Sequence, residues 1–397
     1  MRYMKHAPFG YPDIGNWVSE YINYFEQLTN EYEYHIITVH PGLKNNISQF
    51  EINNIHYHII NSNSNLLFDY FNHKLKIDER LNYSRFRNAI KKITTKINPD
   101  LVIVCGAENP QYSLAALDLK KYTVYVILQT LLNSKKRIEL NVGTQYRRTC
   151  ETNIIKSVKY IGVNNYEEYK YVKELNSSAI IFRNIFPVSI PPSYNEEKDT
   201  DFVFFANTIT KFKGIEDALE ALAIIKNNGR QCNLRVIGSF ENSYYSKIKD
   251  LLLRKNIVND VDFIGYCQNI MDVYRIVQKS RNILLPSITA PLNSTVKEAM
   301  FMGIPIIMYE TEASKRINST ESLLITAQME NITDLSNKMI FALDNIGICN
   351  KMAQKAKVYA QLNFSGNAAG KLLQNIVCSI CNPNIHINKD LLYTSNF

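Results

Sequence analysis

The feature that most constrains the fold of this chain is the alternation of short apolar segments with helical segments in its second half. Each apolar segment has the length of a buried strand, and the segments between them have helical spacing. Such alternation favours a parallel sheet covered by helices, because parallel strands need crossover connections. The predicted strands are 202–206, 233–237, 261–264, 281–285, 304–308 and 323–326, with helices at 214–228 and 244–255 and helical turns between the others.

The first half shows the same alternation less regularly. Its predicted strands are 1–6, 35–39, 56–60, 101–105, 123–128, 160–163 and 179–182, and its predicted helices are 16–29, 82–97, 111–119 and 166–175. A proline-rich, charged run at 187–200 predicts a linker. We therefore predict an α/β fold with two Rossmann-like doubly wound domains, 1–186 and 201–360, facing a central cleft. A C-terminal helix that crosses back, and a tail that is loose after Asn382, complete the chain at 361–397.

The composition is that of a globular protein with reduced thiols. Apolar residues make up 46% of the 397 residues, yet no apolar run reaches the length of a membrane span. The N-terminus lacks the apolar core of a signal peptide, and the seven cysteines are irregularly spaced. Cys378 and Cys381 have no second pair to complete a zinc site, so we interpret them as ordinary thiols. These features predict a cytoplasmic protein.

The net charge of +8 is a mild excess that is spread over the chain. The densest basic clusters, at 135–137 and 147–148, are not interleaved with aromatic residues, as they would be in a protein that binds single-stranded nucleic acid. The charge therefore suits an anionic small molecule, or peripheral contact with the inner face of an anionic membrane. Nucleic acid is not an expected partner.

Segment 284–310 has the pattern of a strand, a polar loop, a helix and a second strand. In open α/β sheets, ligands bind where strand carboxyl ends meet helix amino ends. Glu298 lies one turn inside this predicted helix, where it can accept hydrogen bonds from the hydroxyls of a ribose. The spacing Thr295-x-x-Glu298 is equally that of a capping box, in which Glu298 would only bond a backbone amide. The residues alone leave both interpretations open.

A second loop of this half carries positive charge. Lys211 and Lys213 precede Gly214 at the start of the helix that follows the first strand. Two lysines beside a helix N-terminus form an anion site able to neutralise a diphosphate. Solvated loop lysines are the alternative.

Three positions in the first half are weaker candidates. Gly15 lies in a turn-rich loop before a predicted helix. Its lack of a side chain would let the backbone approach a phosphate group closely, or the loop is a plain connection between a strand and a helix. Glu108 follows strand 101–105 and either orients a substrate hydroxyl or caps the next helix. His6, near the end of the first strand, either contacts a sugar or is structural.

The second half contains a series of ordered sequence blocks. These are FFAN (204–207) through KGIEDALEAL (213–222), LRVIG (234–238), VDFIG (261–265), and LPS (285–287) through EAM (298–300) and GIP (303–305). With these blocks the chain resembles family 4 of the glycosyltransferases, which are retaining enzymes of the GT-B fold, and the resemblance covers nearly the whole chain. In the first half, GAE (106–108) and KYIG (159–162) are similar to segments of bacterial members that build surface polysaccharides.

The resemblance assigns roles by position. It implies that Glu298 binds the donor ribose and that Lys213 contacts the diphosphate, and it makes these two residues the catalytic set. It also implies that backbone amides at the helix start complete a phosphate cradle. The implied donor-binding residues are Gly15, Thr208, Lys211, Lys213, Ala290, Asn293, Ser294, Thr295, Val296 and Glu298.

Two positions depart from the family pattern. Ala290 stands eight positions before Glu298, where the first acid of the family's Glu-seven residues-Glu motif is expected. Loss of that carboxylate removes a contact to the donor sugar that is worth about 1.5–3 kcal/mol. Thr208 stands where a basic residue often precedes the lysine, and Lys211 is placed to supply that charge.

The implied activity is transfer of a sugar from a nucleoside-diphosphate donor to a saccharide or lipid-linked acceptor, with retention. It needs no enzyme nucleophile, cofactor or metal. Because of Ala290, a catalytically degenerate binding or scaffolding subunit of a polysaccharide assembly complex is the main alternative. A nucleotide-sugar epimerase is a third interpretation, and it would need acid/base residues that the sequence does not identify.

Overall fold

The computed structural model describes residues 16–41, 43, 45–62, 72, 74–139, 141–288, 292–382 and 387–393. The chain divides into two compact units. Unit 1 comprises Met1–Pro187 and Gly366–Phe397, and unit 2 comprises Val188–Ser365. The predicted first strand, 1–6, lies outside the described residues.

The described part of unit 1 contains two sheets with helices between their strands. Strands β1 (Tyr34–His40), β2 (Ile47–Ile52) and β3 (Ile55–Asn61) form one sheet, in the order β1-β3-β2. Strands β4 (Leu101–Cys105), β5 (Thr123–Ile127), β6 (Tyr160–Val163) and β7 (Ile180–Arg183) form a parallel sheet in chain order. The helices are α1 (Asn16–Phe25), α2 (Ile77–Arg80), α3 (Ser84–Ile97), α4 (Pro110–Ser113), α5 (Lys135–Glu139), α6 (Gln145–Ser157) and α7 (Tyr166–Leu175).

Strand β2 is absent from the sequence-based prediction. It pairs antiparallel with β3 through a tight turn at Asn53 and Asn54, whose φ angles are 51° and 60°. A two-residue hairpin turn needs positive φ angles at both central residues, and asparagine adopts such angles more readily than most residues. Gln49, Phe50 and Glu51 are exposed, so β2 lacks the apolar run by which a buried strand is recognised.

Unit 2 is built on one parallel sheet. Its strands are β8 (Thr200–Thr208), β9 (Leu234–Ser239), β10 (Val261–Gly265), β11 (Ser280–Leu285), β12 (Ile306–Tyr309) and β13 (Ile325–Ala327). Its helices are α8 (Ile215–Asn227), α9 (Asn242–Lys255), α10 (Ile270–Val277), α11 (Ser294–Met302), α12 (Glu312–Ile317), α13 (Ile332–Asp344) and α14 (Ile346–Phe364).

The strand order of unit 2 is β10-β9-β8-β11-β12-β13. This is the doubly wound order of a Rossmann domain, in which the chain reverses direction across the sheet between its first and fourth strands. The central strand β8 buries both faces, since Phe202, Val203 and Phe204 are all 0% exposed. The prediction of an α/β fold with Rossmann-like domains is confirmed.

Residues 188–200 of the segment predicted as a linker belong to unit 2. Tyr194 N donates to Gln278 Oε1 at 2.8 Å, and Gln278 Nε2 donates to Pro192 O at 2.8 Å. Lys198 Nζ donates to Ser280 O at 3.0 Å. These bonds fix the segment to the start of β11 and the end of α10.

The final helix, α15 (Gly366–Cys381), belongs to unit 1 and packs on α1. Tyr24 lies directly over Gly370, and its hydroxyl donates to Gln374 Oε1 at 2.7 Å. The absence of a side chain at Gly370 lets the two helices approach closely. The chain therefore crosses back to its first unit, as predicted.

The prediction of a loose tail after Asn382 is wrong for residues 387–393. Leu392 forms an antiparallel bridge with Phe182, and Tyr393 N donates to Ile181 O at 2.9 Å. Leu391 and Tyr393 are buried. The tail binds here because β7 is an edge strand with unpaired backbone groups.

All seven cysteines are free of disulfides. In the described ranges, no helix is both long and apolar enough to cross a membrane.

The contact between α1 and α15 gives a stability prediction. A Cβ at Gly370 would lie 2.2 Å from Tyr24 Cγ, so Gly370→Ala is expected to lower the free energy of unfolding by about 1–3 kcal/mol. Gly347→Ala in α14 is the matched control, because nothing lies within 4 Å of that position. It should be neutral or stabilising by up to about 1 kcal/mol. Urea unfolding measures both variants, and equal effects would contradict the packing described.

Candidate functional site

The candidate site lies at the carboxyl ends of β8 and β11. These strands are neighbours and run parallel, so the loops that follow them leave the same edge of the sheet. This is also the point at which the strand order reverses, where open α/β sheets leave a crevice for ligands. The topology therefore brings together the two loops that were separate candidates in the sequence.

Hydrogen bonds to one carbonyl hold the two loops together. Phe212 O accepts from Ile288 N at 3.0 Å and from Ser287 Oγ at 3.1 Å. Gly214, two residues later, has a φ of 78°, and a Cβ built on it would lie 1.9 Å from Pro286 O. Only glycine meets both requirements without strain. The turn that carries Lys213 is thus locked against the end of β11.

Lys213 is a half-buried cation at this edge. Within the described part of the chain, no carboxylate lies within 4.0 Å of its Nζ, and burial lowers the pKa of its ammonium group. Lys211 and Thr208 are exposed on the same connection. A partly desolvated lysine without a carboxylate partner can bind an anion strongly, because the anion would restore the lost solvation.

Asn293 determines how α11 begins. It is the N-cap residue, and its Oδ1 accepts from Val296 N at 3.0 Å. The capping-box alternative for Thr295 and Glu298 is therefore wrong, since the cap lies two residues earlier. The same bond occupies the Val296 amide, so Ser294 and Thr295 supply the first helical amides that face outward from the helix end.

Glu298 lies in the second turn of α11 and is half-buried. Burial raises the pKa of its carboxyl group to about 7, and a hydrogen bond from the Tyr274 side chain opposes that rise. Tyr274, on α10, is 2% exposed, and burial together with the nearby carboxyl raises the pKa of its phenol. A carboxyl group held in this way can accept further hydrogen bonds from a ligand.

Tyr274 is not among the site residues that the sequence predicts. It lies 24 positions before Glu298, within an amphipathic helix. From the sequence alone, a tyrosine on the apolar face of such a helix is interpreted as a core residue. No motif or spacing connects the two residues, since their contact arises only when α10 and α11 pack beside β11. A tertiary contact of this kind leaves no local signal.

The remaining candidates belong to unit 1 or lie outside the described residues. Glu108 follows β4 as predicted, but the cap of α4 is Asn109, whose side chain accepts from Gln111 N, so the capping interpretation of Glu108 is wrong. Burial raises the pKa of the Glu108 carboxyl, which receives a hydrogen bond from the Tyr112 side chain. Gly15, His6 and Ala290 lie outside the described residues, and the roles implied for them stay predictions.

Comparison with known families gives a match within unit 2. Residues 189–359 match the family described as Glycosyl transferases group 1, a segment that contains both Lys213 and Glu298. No curated protein sequence matches the chain significantly.

Solved structures share the fold over most of the chain. Sucrose-phosphate synthase from Thermosynechococcus elongatus has a TM-score of 0.67 and 14% identity, over 89% of this chain and 90% of that chain. Anabaena HepE in complex with UDP and glucose has a TM-score of 0.64 and 13% identity, over 93% of this chain and 97% of that chain. A glycosyltransferase from Rickettsia africae has a TM-score of 0.61 and 16% identity, over 88% of this chain and 98% of that chain. These likenesses show the GT-B fold, and with the family match they support a glycosyltransferase.

The locked turn gives a prediction with a matched control. Gly214 and Gly229 have φ angles of 78° and 81°, but only Gly214 has atoms within 4 Å of a built Cβ. Gly229→Ala should cost about 1–2 kcal/mol of stability for the left-handed backbone alone. Gly214→Ala should cost roughly 1–3 kcal/mol more, because it also clashes with Pro286 O. Equal losses in urea unfolding would show that the contact between the loops is not tight.

The raised pKa of Glu298 predicts how stability depends on pH. The folded carboxyl has a pKa of about 7 against an ordinary 4.5, so the folded state holds this proton more tightly than the unfolded state. The resulting stabilisation is full below pH 4.5 and is lost as pH rises through about 7. Glu298→Gln, which cannot ionise, should therefore match the wild type at low pH and exceed it at pH 8 by about 3 kcal/mol.

Thermal unfolding across this pH range measures the difference. Glu197→Gln is the matched control, because Glu197 is exposed, and it should give a constant difference from the wild type. A constant difference for Glu298→Gln as well would contradict the burial of this carboxyl.

Proposed function

We propose that this protein transfers a sugar from a nucleoside-diphosphate donor to a saccharide or lipid-linked acceptor, with retention of anomeric configuration. The observation that carries the proposal is the pair of bonds to Phe212 O, which places the Lys213 turn beside the segment that leads to Glu298. The family match across residues 189–359 supports it. The HepE complex with UDP and glucose supports a nucleotide-sugar as donor.

Lys213 is assigned to the donor diphosphate. Its cation is partly desolvated and has no carboxylate within 4.0 Å among the described residues, so an anion at this position would raise its lowered pKa and hold it charged. Lys211 and the amides of Ser294 and Thr295 add donors around the same anion. These groups stabilise the negative charge that develops on the leaving diphosphate.

Glu298 is assigned to the donor ribose. Two vicinal hydroxyls that donate to this carboxyl would stabilise its ionised form and lower its pKa. Tyr274 donates to the same carboxyl and holds it in place, which makes Tyr274 a positioning residue. Lys213 would therefore recognise the diphosphate of the donor, and Glu298 would recognise its ribose.

The reaction requires little covalent chemistry from the protein. The bond from the anomeric carbon to the diphosphate oxygen breaks, and the acceptor hydroxyl oxygen bonds to that carbon on the same face. The acceptor proton passes to an oxygen of the departing diphosphate. Positive charge on the sugar ring is transient, so stabilising the departing anion is the main contribution of the protein.

The protein would act in the cytoplasm, in synthesis of a surface polysaccharide or another glycoconjugate. The basis is the similarity of segments 106–108 and 159–162 to bacterial enzymes of that kind, together with the family 4 pattern. The excess of positive charge supports peripheral contact with an anionic membrane surface, where a lipid-linked acceptor would reside.

Donor binding and turnover test the two assigned roles separately. The purified protein is assayed against UDP-, GDP- and ADP-sugars, and donor affinity is measured by calorimetry. Lys213→Ala should lower kcat by about 10²–10³-fold, as loss of one oxyanion donor does in other enzymes. Glu298→Ala should weaken donor binding by about 10–100-fold, equivalent to about 1.5–3 kcal/mol.

Lys351→Ala is the matched control, since it removes the same charge from an exposed position on α14. Turnover that survives both site substitutions would refute the assigned roles. The anomeric coupling of the product, read by NMR, distinguishes retention from inversion. Nucleotide binding without sugar transfer or donor hydrolysis would instead indicate a degenerate binding subunit.

A further inference from the structure

A cluster of histidines and carboxylates lies on the three-stranded sheet of unit 1. His35 on β1 is paired in register with His56 on β3, which is paired with Glu51 on β2. His58 lies two residues after His56 on the same face of the sheet. Glu33 precedes β1 by one residue and reaches the same row. The cluster thus joins groups from all three strands.

The donor atoms of three residues converge. Glu33 Oε1 lies 2.8 Å from His35 Nε2 and 3.7 Å from His56 Nε2, and one ligand atom from each residue lies within 4.8 Å of the other two. In a tetrahedral zinc site with bonds near 2.0–2.1 Å, ligand atoms are separated by about 3.4 Å. The two distances from Glu33 lie on either side of that value. The His35 and His56 rings are stacked, with centroids 4.7 Å apart and planes 19° apart, so they would tilt towards a bound ion.

Neighbouring groups orient the imidazoles. His58 Nε2 lies 3.1 Å from His35 Nδ1, and Gln49 Nε2 lies 2.9 Å from His58 Nδ1. A cation on His35 Nε2 would require the tautomer with the ring proton on Nδ1, and His58 Nε2 lies within hydrogen-bond distance to accept it. His58 would then carry its own proton on Nδ1, where Gln49 could accept it through its amide oxygen after the amide turned. His35 would thereby have the second-shell partner that metal-ligating histidines usually have.

The charges around the cluster also favour a cation. Glu33 and Glu51 supply the negative charge that a divalent cation needs.

We propose that Glu33, His35 and His56 bind a divalent transition-metal ion of the zinc class. Imidazole and carboxylate ligands suit zinc and its neighbours in the first transition row. Three protein ligands leave a fourth position for water. The ion would link the start of β1 to β3, and because the ion binds the folded state, it would stabilise unit 1. This site is independent of the donor chemistry assigned to unit 2.

Calorimetry with the full-length protein and zinc chloride tests the proposal, after chelator treatment and dialysis. The wild type should bind one equivalent with a dissociation constant in the micromolar range or tighter, and zinc should raise its unfolding temperature. Glu33→Gln and the His35→Ala/His56→Ala double variant should each weaken binding at least tenfold. Glu33→Gln guards against misfolding, because the Glu33 side chain is 72% exposed.

His40→Gln is the matched control, since His40 lies on β1 but on the opposite face of the sheet, and it should bind zinc like the wild type. Cobalt gives a second readout: its visible spectrum should show nitrogen and oxygen ligation without a thiolate charge-transfer band. Absence of binding to the wild type at 100-fold molar excess would overturn the proposal. Equal binding by the double variant, or a thiolate band, would also overturn it by assigning the ion to other ligands.

Discussion

The candidate site depends on the close contact between the loop after β8 and the loop after β11. One carbonyl, Phe212 O, accepts two hydrogen bonds from the second loop, and Gly214 leaves room for the carbonyl of Pro286. Residues from two distant parts of the chain are thereby fixed at one edge of the sheet. The strand order sets the edge, and the glycine sets how closely the loops approach.

The two central side chains are held in states that cost stability. Burial lowers the pKa of Lys213 and raises that of Glu298, so both charged forms are disfavoured in the free protein. Among the described residues, neither forms an ion pair that would relieve this cost. A nucleoside diphosphate would relieve both, since it offers an anion to the lysine and hydroxyl donors to the carboxyl. Binding sites commonly combine such perturbed groups.

The sequence was informative where local patterns decide structure. The strands of unit 2 and the loops at their carboxyl ends follow from apolar runs and helix starts, which depend on neighbouring residues. It was less informative where two local choices compete. Asn293 and Thr295 are both good cap residues, and only the structure shows that Asn293 forms the cap. The contact of Tyr274 with Glu298 depends on packing between helices and has no local pattern. The bridge of Leu392 to β7 likewise depends on a distant edge strand.

Glu298 is proposed to accept hydrogen bonds from the ribose of a bound nucleotide. Carbon-13 NMR of the Glu298 carboxyl, titrated with and without saturating UDP, tests this directly. The pKa of this carboxyl should be about 7 in the free protein and should fall clearly towards its ordinary value when UDP binds. A pKa that is the same in the free and UDP-saturated protein would contradict it.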